Sequence, residues 1–540
     1  MNKRVQFRWC FLVPILALAI LFSLASQPKP ADSAVPFKLP SENPHLRVTW
    51  IGVLQGNWTE MGIQYGQRAA KDIAQNFDIA WKNVVLKGSN LWQQGKTEEQ
   101  RAAYAAAYHQ RSFQELILLS PELAEFFGGI AEGAKEELDK CVYANVISHV
   151  LKIQMLNWVD TPFHPNWDFA NDRPYAMNHV KPVTMLAKMN DDHDCNGFWV
   201  KGKATKSGQT IAIRGAQGGH IFVDGSPTGR ERQISYVAIP SDPKAHMFWG
   251  TGRAGNLGGG PGGGVFNEHG VCVLTAGCSY SAANWEQADI TCAPGIRDFI
   301  LASYGVIFSK TARDAAERIT IGTKEYRKKT GRESVLRVRG ANIVFGDKIE
   351  AYCVEQNARR YAIRRPGDLG ELEGNYLVIA NHFKYDRGSF DENNVFHSDE
   401  PMTMYEPEQE MPPNSTYYRF WTGMWMLRNN YGQITPEMVK RELGTAHFAY
   451  DRLGNRSDPD SYGIPTVPGT FCAHNKPFSA EHPLGLGGNT ETTVFDPSTL
   501  DVWWVPVWPC HYNEWNLEWN YLNLTPFTRI PKGAAQMLKK

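Results

Sequence analysis

Cys195 stands just ahead of a short apolar run, Phe198-Trp199-Val200, and Arg214 ends a second run that begins at Thr210. The polar segment between them closes with Ser207-Gly208, so the spacing predicts a β-hairpin with the cysteine at the strand entrance. The arginine then leaves the return strand beside it. The thiolate is the reactive form of cysteine, and an always-charged guanidinium nearby favours it and can hold a substrate carbonyl or carboxylate. Taken alone a cysteine is more often a small buried hydrophobe, so the surrounding sequence has to carry a nucleophilic reading.

Other polar groups compete for attention. Asp191, Asp192, His193 and Asp194 could supply oxygen and nitrogen ligands to a cation, but consecutive side chains on an extended loop point in different directions, and an exposed loop is expected instead. No CxxC or HxxxH spacing argues for zinc, so neither metal nor cofactor is expected. The glycine-rich stretch Gly255 to Gly264 lacks the strand-then-helix context and the Lys-Ser/Thr of a phosphate cradle, and reads as a loop rimming a pocket.

The elements that must position these groups follow from the pattern. Asn57-Trp58-Thr59-Glu60 has capping-box spacing, with Met61, Tyr65, Ala69, Ile73 and Phe77 recurring every four residues behind it. A second helix is expected from Thr97 to Leu119, and a third from Ser120-Pro121 through Gly128-Gly129 to Ala134. The whole stretch from about His45 to Asp194 reads as mainly helical. Beyond the hairpin, helical pattern returns at Pro294 to Val306 and Thr311 to Ile319. Strands are expected at Asn342 to Phe345, Ile349 to Val354 and Tyr376 to Ile379, and a closing hairpin over Gly488 to Pro497 and Asp501 to Val505.

In order along the chain, several of these motifs resemble one family. The Met61-Gly62 to Tyr65-Gly66 and Gly129 to Gly133 segments, the Cys195 hairpin with its Ala204-Thr205-Lys206-Ser207-Gly208 turn and Arg214, Asn267-Glu268-His269-Gly270, Ala380-Asn381-His382-Phe383 and Val494-Phe495-Asp496-Pro497 are similar to the penicillin acyltransferase (isopenicillin-N N-acyltransferase) family of the N-terminal nucleophile (Ntn) hydrolases. The resemblance implies an α+β fold, a four-layer αββα sandwich of two antiparallel sheets, with an N-terminal helical pro-segment. It also implies self-cleavage between Asp194 and Cys195, after which the freed α-amine of Cys195 serves as base for its own thiol. Asn381 would line the oxyanion site, a task suited to an amide that donates without a proton to lose. Relatives carry an aspartate three residues beyond the arginine to hold the new α-amine. Gln217, which can accept a hydrogen bond but carries no charge, occupies that position here, so Gln217, His220, Asp224 and His382 are the candidates for support.

Composition sets the frame. The chain has 540 residues, with 56 Lys and Arg balanced by 56 Asp and Glu, so nothing favours nucleic acid as a partner. Lys3, Arg4 and Arg8 precede an uncharged run from Trp9 to Ser26, near the ~18-residue lower bound for a spanning helix; both a cleaved signal peptide and an uncleaved anchor fit. Export is expected, with the folded part outside the cytoplasm and membrane contact only through that segment. Nine cysteines leave at least one unpaired; Cys272 with Cys278, or Cys472 with Cys510, could form bridges. The expected organisation is 1–34 targeting segment, 35–194 linker and pro-segment, and 195–540 catalytic domain with a lid-like insertion around 386–415. The expected function is cysteine-dependent hydrolysis or transfer at a linear amide of a small N-acyl substrate. A phospholipase B-like lipid hydrolase and a non-catalytic exported binding protein on the same fold are the alternatives.

Overall fold

The first described segment, Val48–Gly56 (β1), is a strand where the sequence suggested helix. Its residues are mostly apolar or β-branched, and it pairs in parallel with Gln233–Pro240 at the edge of a sheet. The structure, a computed structural model, describes residues 48–86, 97–157, 167–168, 173–174, 195–217, 232–258, 263–277, 294–338, 340–356, 361–382, 384, 389–390, 396–397, 415–458, 470–472, 489–506, 509–514 and 518–530. The chain divides into two compact units, Met1–Phe37 and Lys38–Lys540, of which the first lies outside the described residues. The 1–34 targeting segment, Asp191 to Asp194, His220, Asp224 and most of the 386–415 insertion likewise lie outside them. Among the described residues no helix is long and apolar enough to cross a membrane.

Besides three two-stranded sheets of two-residue strands, the strands after β1 are Asn196–Gly202 (β2), Gly208–Gln217 (β3), Gln233–Pro240 (β4), Phe248–Arg253 (β5), Val265–Asn267 (β6), Cys272–Gly277 (β7), Ala341–Gly346 (β8), Ala351–Gln356 (β9), Tyr361–Arg364 (β10), Tyr376–Ile379 (β11), Asn489–Asp496 (β12), Asp501–Val505 (β13) and Asn520–Asn523 (β14). They form an eight-stranded sheet in the order β1-β4-β5-β6-β7-β8-β9-β10 and a six-stranded sheet in the order β11-β2-β3-β12-β13-β14. Apart from the β1–β4 pair, the ladders of both sheets are antiparallel.

Alternation along the strands decides which side chains meet. On the six-stranded sheet, Phe198, Val200, Ile211, Ile213 and Val494 turn to one face, where they pack with Phe420, Met424 and Leu427 of helix Ser415–Asn429. Trp199 and Phe495 turn to the other face and meet the eight-stranded sheet: Phe495 lies 6.3 Å from Trp249 and 5.5 Å from Phe266 between ring centroids. Trp199 Nε1 donates to Asp347 O at 3.1 Å. The far face of the eight-stranded sheet shares its core with the helices Trp58–Ala80 (α1), Glu98–Leu119 (α2), Pro121–Gly133 (α3), Asp298–Ile307 (α4) and Ala312–Thr320 (α5). Strand β4 is buried along its whole length, with Gln233 and Ser235 the polar residues among its apolar ones.

The first helices begin where their caps place them. Asn57 and Glu60 form the capping box of α1, Thr97 and Gln100 that of α2, and Ser120 caps α3 with proline behind it. Helices α1 and α3 then approach backbone to backbone at glycines. A Cβ on Gly62 would sit 2.3 Å from Phe126 O, and one on Gly129 would sit 2.4 Å from Thr59 O. Gly129→Ala therefore forces the helix pair apart and is expected to lower stability by about 1–3 kcal/mol, the usual cost of overpacking. Denaturant unfolding checks it; Gly128→Ala, where a Cβ would meet nothing within 4 Å, is the control.

Candidate active site

The hairpin β2–β3 puts Cys195 and Arg214 on the face that looks toward the other sheet. Gly197 pairs directly with Arg214, and Cys195 precedes Gly197 by two residues, so cysteine and arginine are diagonal neighbours on one face. Gly197 is required there, because a Cβ would lie 2.5 Å from Ile213 O. Both side chains are buried. The Arg214 guanidinium crosses to the facing sheet, donating from Nε to Thr275 O at 3.3 Å and from Nη1 to Gly263 O at 2.5 Å. Gly263 belongs to the glycine-rich loop, whose closeness to the backbone is its use: a Cβ at Gly263 would sit 2.2 Å from Thr251 O.

Asn381 reaches Cys195 from the end of β11. The Cys195 backbone N–H donates to Asn381 Oδ1 at 2.8 Å, and Asn381 Nδ2 donates to Gly277 O at 2.7 Å. The side chain thus spans the gap between the sheets, with its carbonyl on the cysteine nitrogen. Its amide keeps a second N–H beyond the one given to Gly277. Sequence reasoning expected Asn381 as an oxyanion donor; the contact made to Cys195 is through the carbonyl end.

The turn bearing Asn381 is held from three sides by residues that sequence reasoning missed. Asn342 on β8 donates through Nδ2 to Ala380 O at 2.9 Å and His382 O at 2.8 Å. Thr416 Oγ1 accepts the Asn381 N–H at 2.7 Å and shares a hydrogen bond with His382 Nδ1 at 2.9 Å. Glu355 Oε2 accepts the Lys384 N–H at 2.6 Å. A polar residue heading an otherwise apolar strand, Ala341-Asn342-Ile343-Val344-Phe345, is the one signal that could have marked Asn342. Arg419, buried one turn after Thr416, donates from Nη1 to Cys195 O at 3.2 Å, so both backbone polar atoms of the cysteine are gripped. Asn196 Nδ2 donates to Phe471 O at 3.1 Å and fixes the next residue.

Electrostatics separates the groups that can titrate from those that cannot. Burial, then the positive charges of Lys384, Arg419 and Arg364, hold His382 well below the ordinary imidazole range, so it is neutral and acts as a hydrogen-bonding prop. Burial pushes the Cys272 thiol well up and the Cys353 thiol to about 12, which leaves both inert as nucleophiles near neutral pH. None of the six described cysteines is bridged. Cys472 and Cys510 touch as unbridged thiols, and Cys272 hydrogen-bonds Gly346 O at 3.3 Å, so neither expected bridge is formed among the described residues; Cys278 lies outside them. Gln217 ends β3 opposite Asn489, and its side chain is outside the described set.

Beside Asn381 lies a buried ionic group. Arg364 pairs with Glu355 at 3.0 Å and Glu371 at 3.4 Å and donates to Val378 O at 2.8 Å, tying the edge of the eight-stranded sheet to β11. Lys384 Nζ sits 3.7 Å from the centroid of the Phe420 ring. Its ammonium is pulled down to about 7 by burial and by Arg364, against the opposing pull of Glu355 and Glu371. The unfolded chain keeps this proton up to about pH 10.5 and the folded chain only to about pH 7, so the group makes stability rise with pH across that window. Lys384→Met is expected to flatten the rise: the stability gap between wild type and variant shifts in favour of wild type from pH 7 to pH 10 by denaturant melts, and a constant gap would contradict the assignment.

No family model matches the chain, and no curated protein matches it. Among solved structures it is similar to a mutant of conjugated bile acid hydrolase from Clostridium perfringens, at 8% identity and a TM-score of 0.33, over 62% of this chain and 93% of that one. It is also similar to penicillin V acylase from Agrobacterium tumefaciens, at 10% identity and a TM-score of 0.26, over 57% of this chain and 82% of that one.

Proposed function

We propose that the chain is an exported cysteine amidohydrolase or acyltransferase of the Ntn type, a four-layer αββα sandwich matured by cleavage between Asp194 and Cys195, acting on linear amides of small N-acyl compounds. The observation that carries this reading is the 2.8 Å hydrogen bond from the Cys195 nitrogen to Asn381 Oδ1. Any buried backbone N–H needs an acceptor; here the acceptor is the Asn381 side chain, and once cleavage frees the nitrogen the same carbonyl would aim the α-amine so that it can serve as base.

After cleavage, the Cys195 thiol gives its proton to its own α-amine as sulfur attacks the amide carbonyl, and the C–S bond forms. The tetrahedral oxyanion takes hydrogen bonds from the second Asn381 amide hydrogen and a backbone N–H. The ammonium returns the proton to the departing nitrogen, the C–N bond breaks, and a thioester remains. Water resolves it in a hydrolase, an acceptor amine in a transferase. Asn381 Oδ1 holds the amine in place throughout. Arg419 keeps the cysteine carbonyl fixed, and Arg214, spanning the sheets beside the thiol, offers its guanidinium to sulfur or to substrate oxygen. Gln217, His220 and Asp224 are the candidates for completing the amine's hydrogen bonds.

Strand β1 and helices α1–α3 share a core with the eight-stranded sheet, so the two pieces would stay together after the cut. Intact mass under denaturing conditions is expected to give two fragments meeting before Cys195, while native mass gives one particle. Cys195→Ala should remain uncut, and turnover over a panel of N-acyl amino acids, β-lactam amides and N-acyl amines should fall to background in it. Asn381→Ala should lose about a hundredfold or more in kcat. An uncut wild-type chain with no turnover, inert to thiol reagents, would reject the proposal.

A further inference from the structure

Away from Cys195, the segment ahead of β5 and the turn between β6 and β7 bring two imidazoles and a carboxylate together. His246 Nδ1 lies 3.1 Å from His269 Nε2 and 3.6 Å from Glu268 Oε1, and the three ligand atoms all fall within 4.8 Å of one another. Ligands about 2.0–2.1 Å from a tetrahedral zinc ion stand roughly 3.3–3.5 Å apart, so the observed spacings bracket that geometry. The positions are fixed before any ion arrives. Glu268 Oε1 accepts the Met247 N–H at 3.2 Å while the Glu268 N–H donates to Met247 O at 2.9 Å, locking the two segments together. Asn267 Oδ1 takes the His269 N–H at 3.0 Å and Asn267 Nδ2 grips Val306 O at 2.6 Å, which stiffens the turn. His246 is buried, and its N–H is held by Ile307 O at 2.9 Å. His269 is exposed, giving an ion a way in.

We propose that His246, Glu268 and His269 bind a divalent transition-metal ion through His246 Nδ1, His269 Nε2 and a Glu268 carboxylate oxygen, with water in the remaining position. Two imidazoles and one carboxylate favour zinc or a neighbouring first-row ion over calcium or magnesium, which prefer all-oxygen shells. The ion is a staple: it joins the entrance of β5 to the β6–β7 turn, at the end of β7 opposite Gly277. Strand β7 runs from Cys272 to Gly277, which at ~3.4 Å per residue separates the site from Asn381 by most of the sheet's height. Its zinc affinity is therefore independent of whether Cys195 is catalytic.

The test uses the full chain, stripped of metal and titrated with zinc chloride by calorimetry and by thermal melting. The expected result is one ion per chain at this site and a higher melting temperature with zinc, because an ion bound only by the folded state stabilises it. His269→Ala, an exposed turn position, and Glu268→Gln, whose amide oxygen can still accept from Met247, should melt like wild type without metal. Both should weaken zinc binding about tenfold or more and lose the thermal shift. His447, Cys472 and Cys510 form a second group of donor atoms, so Cys472→Ser is measured in parallel and should bind zinc as wild type does. The proposal fails if wild type takes up no zinc, if His269→Ala binds it unchanged, or if the binding vanishes in Cys472→Ser instead.

Discussion

The hydrogen bond between the Cys195 nitrogen and Asn381 Oδ1 is the constraint on which the rest of the structure depends. It joins the entrance of one strand to the exit of another, and Asn381 carries the link on to Gly277 in the facing sheet. A short side chain can span that gap only if both sheets hold their spacing and the turn at 380–382 holds its angle. The surrounding polar groups serve this. Asn342 clamps the carbonyls on either side of Asn381, Thr416 takes its N–H, and the Arg364–Glu355–Glu371 group ties β11 back to the sheet edge.

Burying so many polar groups is costly unless each is answered, and breaking one member of a buried pair leaves the other uncompensated. The arrangement therefore trades stability for position. Lys384 shows the cost: it is held in a buried site that disfavours its charge, beside the asparagine, and its N–H is spent on fixing Glu355. Arg214 and Arg419 are deeply buried guanidiniums that donate to backbone carbonyls. Such bonds hold the backbone on either side of the site in place.

Local signals in the sequence were enough for much of the fold. Asn57-x-x-Glu60 and Ser120-Pro121 mark helix starts because capping is a short-range interaction, and Gly62, Gly66 and Gly129 mark a close helix pair because only glycine fits it. The Cys195–Arg214 hairpin was legible from alternation and a turn. What stayed hidden is non-local. Strand β1 is an edge strand whose partner lies far along the chain, so nothing near it announced a sheet. Asn342, Thr416, Glu355 and Arg419 matter only because folding brings three separate elements, two strands and one helix, to Cys195 and the turn bearing Asn381. The closeness of His246 to Glu268 and His269 depends on two turns meeting, which no spacing motif describes.

The central claim is that Cys195 carries a free α-amine beside its thiol in the mature protein. Cyano-benzothiazole condenses with a 1,2-aminothiol and not with an internal cysteine, so labelling of the purified, denatured chain followed by peptide mapping reads the claim directly. One label per chain on a peptide beginning at Cys195 is the expected result. A Cys195 found only within an intact peptide that also contains Asp194, with no label taken up, would contradict it.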